Sequence, residues 1–163
     1  GRRPGPNDHG TAVAAIMVGK PEWGGLLPGA ELKAANMFDM NEVGRVVGSS
    51  VALLRAVNWL ATMKVKVINM SVAGGDNKVV RKALDKMKKK HLVLVAAAGN
   101  WGSAVRPAYP AAYKEVVAVA AFGEEWRVYS KANGGTTSTS GRPGCGFIPP
   151  FPAAVESRVA PCS

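Results

Sequence analysis

Little in this chain suits a soft metal or a disulfide framework. Its 163 residues hold two cysteines, Cys145 and Cys162, both near the C-terminus and without metal-ligand spacing. One disulfide or two free thiols fit that placement equally, so the cysteines do not fix a redox compartment. Histidine is as scarce, with only His9 and His91. Aromatic residues make up 7% of the chain, and none interleave with the basic residues as on a nucleic-acid-binding surface. No run of about 18 apolar residues occurs, which excludes a membrane-spanning helix. The opening GRRPGPNDHG has neither a methionine nor the apolar core of a signal peptide, so no targeting segment is expected. Phosphate-cradling glycine loops are missing as well. No strand-like segment runs into G-x-G-x-x-G, and no G-x-x-x-x-G-K-[ST] is found. Dinucleotide and phosphoryl chemistry are set aside on that ground.

What remains is ordinary for one globular domain: 47% hydrophobic and 20% charged residues. The charge is lopsided, with 21 Lys and Arg against 11 Asp and Glu, a net +10. Its densest part, RKALDKMKKK (81–90), reads as a helix. Val79, Val80, Ala83, Leu84 and Met87 recur there at helical spacing and are expected to face a core. The lysines then lie on the opposite face as solvated surface, and nucleic acid is not an expected partner.

Strand-like and helix-like segments alternate along the chain. AELKAANMF (30–38) reads as a strand, and Val47, Val51, Leu54, Val57 and Leu60 or Ala61 mark an amphipathic helix over 46–63. VKVINMSV (65–72) reads as a buried strand ending in the turn AGGDN. HLVLVAAAG (91–99) is sized for a central strand, and EVVAVAAF (115–122) supplies another. Apolar strands separated by helices predict an α/β fold with a mostly parallel, doubly wound sheet in three layers. Functional groups in such sheets gather beyond the carboxyl ends of the strands. Two stretches stand there, NMSVAGG and AAAGNWG. Their small residues expose backbone groups suited to pairing with an extended peptide. Asn100 offers an amide that either tolerates a turn conformation or donates to a developing oxyanion.

Five stretches, in order, then resemble the subtilisin-like serine proteases (subtilases). DHGTAVAAIMVG is similar to that family's histidine motif H-G-T-x-V-A, and VINMSVAGG to its cleft-lining V-I-N-M-S-L-G-G. VLVAAAGNWG is similar to V-x-A-A-G-N, which carries the oxyanion asparagine, and YPAAYKEVVAVAA to Y-P-A-x-Y-x-x-V-I-A-V-x-A. RVYSKANGG is a weaker match to A-x-F-S-x-x-G. The matches span residues 7–134 and imply a serine endopeptidase that cleaves peptide bonds through an acyl-enzyme.

By the resemblance, His9 is the general base, taking the proton of a serine hydroxyl and returning it to the leaving amine. A helix over 11–18 is expected to start beside it, with Gly10 allowing a tight turn. Asn100 becomes the oxyanion donor. Ser71, Val72, Ala73 and Gly74 form one side of the primary specificity pocket and pair with the substrate backbone; Ala97, Ala98 and Gly99 form the other. Ser71 is therefore a cleft residue, not the nucleophile. Small pocket walls suit an apolar or aromatic side chain, and Ala73, where the family commonly has glycine, narrows the entrance. The resemblance also implies a cis bond between Tyr109 and Pro110. His91 falls in no motif and is expected at the surface or a helix end.

Two departures shape the reading. The family's catalytic aspartate stands in a D-x-G setting upstream of the histidine motif, and none precedes His9 here; Asp8 is a poor substitute, because consecutive side chains diverge. The nucleophile motif G-T-S-x-A-x-P is absent too. The expectation is a partial peptidase domain over 1–135, inactive by itself, followed by an irregular tail over 136–163. The codons of Gly141 to Gly146, read one base later, can spell Ala-Ala-Pro-Gly-Val-Asp, close to the family's extended segment at this place. The tail thus reads as a frame-shifted continuation. With the serine-bearing part missing, an apolar face of the sheet is expected to lie uncovered. The implied partner is a polypeptide substrate and the implied location extracytoplasmic. No cofactor is expected; the resemblance admits calcium without pointing to a site, and oligomeric state is left open. A non-catalytic peptide-binding relative is the alternative.

Overall fold

The computed structural model describes residues 3–4, 7–102, 107–122, 133 and 156–157. The chain divides into two compact units, Gly1–Val65 and Lys66–Ser163.

In the first unit, β1 (Arg3–Pro4), β2 (Phe38–Met40) and β3 (Val46–Gly48) form an antiparallel sheet in that order. The β2–β3 hairpin turns on Asn41, whose carboxamide oxygen accepts from the N–H groups of Val43 and Arg45. Two helices accompany the sheet, α1 (Asp8–Val18) and α2 (Ser50–Thr62). The sequence places a strand over 30–38, but residues 31–37 join no ladder and strand structure begins only at Phe38. Apolar alternation creates a strand only where a neighbour takes up its backbone groups. Likewise the helix expected from Val46 starts four residues later. Ser49 caps it, its hydroxyl accepting from the Ala52 N–H at 3.1 Å, and the residues before that cap are strand. The helix expected over 11–18 starts three residues earlier, at Asp8. Gly10 therefore sits inside its first turn rather than in a tight bend, and a Cβ there would meet nothing. No residue of α1 is buried.

The second unit carries the parallel sheet that the apolar runs predict. β4 (Val67–Met70), β5 (Val93–Ala97) and β6 (Val117–Val119) pair in parallel with β5 at the centre. The expected strand 115–122 is in fact two. After β6, Ala121–Phe122 (β7) pairs antiparallel with Glu156–Ser157 (β8) instead. The basic helix α3 (Lys78–Lys88) joins β4 to β5 and packs against β5. Asn77 starts it, its side-chain oxygen accepting from the N–H groups of Val79 and Val80 at 3.0 and 3.1 Å.

Val80, Leu84 and Met87 of α3 are buried together with Ile68 and Met70 of β4 and Leu94 and Ala96 of β5. The lysines face outward as expected, but Val79 is a correction: at 63% exposed it lies on the outer face. The 65–72 segment also differs from a fully buried strand. Ile68 and Met70 are buried while Val67 and Asn69 are exposed. Val67 and Val93 are register partners, 54% and 48% exposed. One face of this parallel sheet therefore presents valine to solvent, where such sheets ordinarily carry a cover.

Leu84 is the best probe of this core, being 0% exposed. Leu84→Ala is expected to lower the urea unfolding free energy by about 2–5 kcal/mol, the range for a buried leucine whose cavity only partly collapses. A change below about 1 kcal/mol would mean that α3 lies outside the cooperative core.

Candidate functional site

Parallel pairing of β4 with β5 puts two chain exits side by side. Met70 is the register partner of Ala96, so Ser71–Gly74 leaves the carboxyl edge next to Ala97–Asn100. The two stretches that the sequence singles out thus share one rim. Asn69 bridges back to the first of them, its Nδ2 donating to the Ser71 hydroxyl at 2.9 Å.

Farther along that segment, Gly74 forms an antiparallel bridge with Tyr109. The Gly74 N–H donates to the Tyr109 carbonyl at 2.8 Å, and the Tyr109 N–H donates to the Gly74 carbonyl at 3.1 Å. The Gly74 N–H is therefore engaged within the protein, and further main-chain pairing falls to the residues before it. Tyr109 is followed by a cis bond to Pro110, as expected. Its ring lies 4.6 Å from that of Tyr113.

Tyr113 holds the far end of the segment. Its hydroxyl accepts from the Asn77 N–H at 2.8 Å and lies 2.9 Å from an Asp76 carboxylate oxygen, to which it donates. Burial pushes the phenol pKa up, so the hydroxyl keeps its proton through the neutral range. The sequence suggests Tyr113 only as part of a motif; its partners lie 36 and 37 positions away.

On the β5 side, Ala98 is buried and its N–H donates to the Val119 carbonyl at 2.8 Å, extending the ladder past β5. Gly99 follows with φ +100°, a conformation in which a side chain is strained. An added Cβ would lie 2.5 Å from the Asn133 side-chain nitrogen and 3.0 Å from the Ala108 methyl, so the space itself demands glycine. Asn100 is exposed at the rim. Beyond it, the Trp101 N–H donates to the Asn133 Oδ1 at 2.7 Å, and the Asn133 N–H donates to the Gly99 carbonyl at 3.2 Å. Asn133 is a buried polar residue that sequence reasoning did not single out.

The sequence pattern of the subtilase family (peptidase S8) matches residues 3–159. The chain belongs to the subtilase family. Among curated subtilases, the minor extracellular protease Epr of Bacillus subtilis is 34% identical over 85% of this chain. Subtilisin DY of Bacillus licheniformis is also 34% identical, over 71% of the chain. The chain spans 21% of the length of Epr and 43% of subtilisin DY. The prenylagaramide maturation protease PagA shares the fold, with a TM-score of 0.62 over 79% of this chain and 48% of that one at 22% identity. These likenesses establish the subtilisin-like α/β fold expected from the sequence.

Within this subtilase the histidine motif belongs to the first unit. His9 is exposed in the first turn of α1, two residues after the N-cap position Asn7. Asn100, Ser71–Gly74 and Ala97–Gly99 belong to the second. His91 is exposed in the turn between α3 and β5 at φ 61°, the helix-end surface position expected. A cleft of about 440 Å³ between residues 34–39 and α2, flanked by Arg55 and Trp59, is lined by none of the expected site residues. Among the described residues no cluster of His, Cys, Asp or Glu could hold a metal ion. No described helix is long and apolar enough to cross a membrane. Cys145, Cys162, Ser138, Ser140, the expected 135/136 boundary and all of the expected tail except Glu156–Ser157 lie outside the described residues.

Proposed function

We propose that this chain is part of a serine endopeptidase that hydrolyses peptide bonds through an acyl-enzyme. The observation that carries the reading is the shared rim at the carboxyl edge, where Ser71–Gly74 and Ala97–Asn100 leave neighbouring parallel strands. In this reading Ser71–Ala73 pair with the main chain of an extended polypeptide, and Gly74 closes that side of the pocket. Ala97, Ala98 and Gly99 form the opposite wall. Walls this small fit an apolar or aromatic side chain. His9 is the general base, and the Asn100 amide donates to the oxyanion that forms when the carbonyl is attacked. No stretch of these residues matches the family's orienting-aspartate or nucleophile motif. Action outside the cytoplasm goes with the reading, on the example of the extracellular relative. The same rim in a protein without the nucleophile would bind peptides and leave them uncut.

The test is Asn100→Ala in a longer protein that joins these residues to an upstream D-x-G and a downstream G-T-S-x-A-x-P. Turnover is expected to fall about 10²–10³-fold at nearly constant KM, the magnitude known for subtilisin's own oxyanion asparagine. A donor to the transition state affects kcat and leaves ground-state binding alone. An unchanged kcat would remove Asn100 from the mechanism.

A further inference from the structure

We infer that Asn133 is a positioning residue for Asn100, clamping the backbone on both sides of it. The inference rests on the reading of Asn100 as the oxyanion donor. Asn133 reaches the rim from 33 positions away and is 8% exposed. Its main-chain N–H holds the carbonyl of Gly99, and its side-chain oxygen holds the N–H of Trp101. One buried residue thus fixes the peptide units before and after Asn100, while Asn100 itself stays exposed. The third contact is steric: the Asn133 side-chain nitrogen stands 2.5 Å from where a Gly99 Cβ would be, too close for one to fit unshifted. Gly99 is glycine, at φ +100°, so that this side chain can enter.

An oxyanion donor is effective only if it is already aimed at the point where negative charge develops, within a few tenths of an ångström. The Asn100 side chain is short, so its direction follows the backbone that carries it. Without the Asn133 carboxamide the Trp101 N–H loses its acceptor and the turn gains freedom. Catalysis should then suffer although no group that touches substrate has been removed. Asn133→Asp keeps an oxygen acceptor on the same framework, whereas Asn133→Ala keeps only the main-chain bond.

The deciding experiment compares these two variants in the 163-residue chain by amide NMR. Asn133→Ala is expected to speed exchange of the Trp101 N–H at least tenfold and to shift the Asn100 side-chain amide resonances. The Leu94 and Ala96 amides of β5 should stay as protected as before, and Asn133→Asp should restore most of the Trp101 protection. Unchanged Trp101 exchange in Asn133→Ala would overturn the inference. Equal loss of protection along β5 would do so too, by making Asn133 a general stabiliser.

A double-mutant cycle in the longer protein separates the clamp from the role of Asn100. Asn133→Ala alone should lower kcat about tenfold with KM within twofold, and should add nothing once Asn100 is already alanine, as coupled residues behave. A silent Asn100→Ala removes the reading of Asn100 itself, and the clamp's purpose with it. If Asn100→Ala is costly and Asn133→Ala is either silent or fully additive to it, the clamp alone is refuted.

Discussion

Purified by itself and given a fluorogenic peptide, the 163-residue chain is expected to release no product above the buffer rate. The longer protein with an upstream D-x-G and a downstream G-T-S-x-A-x-P should cleave the same peptide. An oxyanion donor stabilises charge that exists only after a nucleophile has attacked, and no nucleophile motif is present here. A histidine without its aspartate also lacks the partner that fixes its tautomer, a loss of about 10⁴ in serine proteases. These losses do not sum, because the three groups act as one unit. Peptidase activity from the short chain that vanished on His9→Ala and was blocked by a serine-directed phosphonate would refute the expectation. It would also send the search for a nucleophile to Ser130, Ser138 and Ser140. If instead the longer protein bound peptide without cutting it, the peptide-binding alternative would take over.

His9→Ala in that longer protein should be nearly as damaging as loss of the nucleophile itself, about 10⁶-fold in kcat, the magnitude known for subtilisin's histidine. In the proposed mechanism the imidazole both removes the serine proton and protonates the leaving amine, so neither half of the reaction would proceed well without it. KM should change little, since His9 makes no uniform contribution to peptide binding. The measurement is kcat and KM from initial rates over a range of peptide concentrations. A drop of less than tenfold would exclude His9 as the base and leave the motif match without a mechanism.

The second unit was legible because its elements are determined locally. VINM and VLVAA are apolar runs of strand length, and α3 carries buried residues at i, i+4 and i+7 in Val80, Leu84 and Met87. The two exits at the carboxyl rim follow once β4 and β5 are parallel neighbours. The first unit resisted for the opposite reason. Residues 30–38 carry a strand-like pattern, yet only the last becomes strand, because ladder formation depends on a neighbour that no local pattern names. Over 46–49, valines continue the helical period backwards, and only the Ser49 cap marks the true start. Asn133 lies inside the weakly matching stretch RVYSKANGG, but nothing there marks it as a rim residue. Its bonds to Gly99 and Trp101, 34 and 32 positions away, become visible only when the chain is folded back.

The segment between Met70 and Asn77 has a consequence for affinity. It is tied to the sheet at one end, to Tyr109 at Gly74, and to the Tyr113 hydroxyl at Asn77. A peptide that adds itself as a strand ordinarily has to immobilise both backbones, at roughly 1–2 kcal/mol for each residue fixed. In the proposed docking mode the receiving backbone is already tethered at Gly74 and Asn77, so the entropy lost would be mainly the peptide's own. Loosening either tyrosine should therefore weaken extended peptides more than short ones, even with every wall of the pocket left in place.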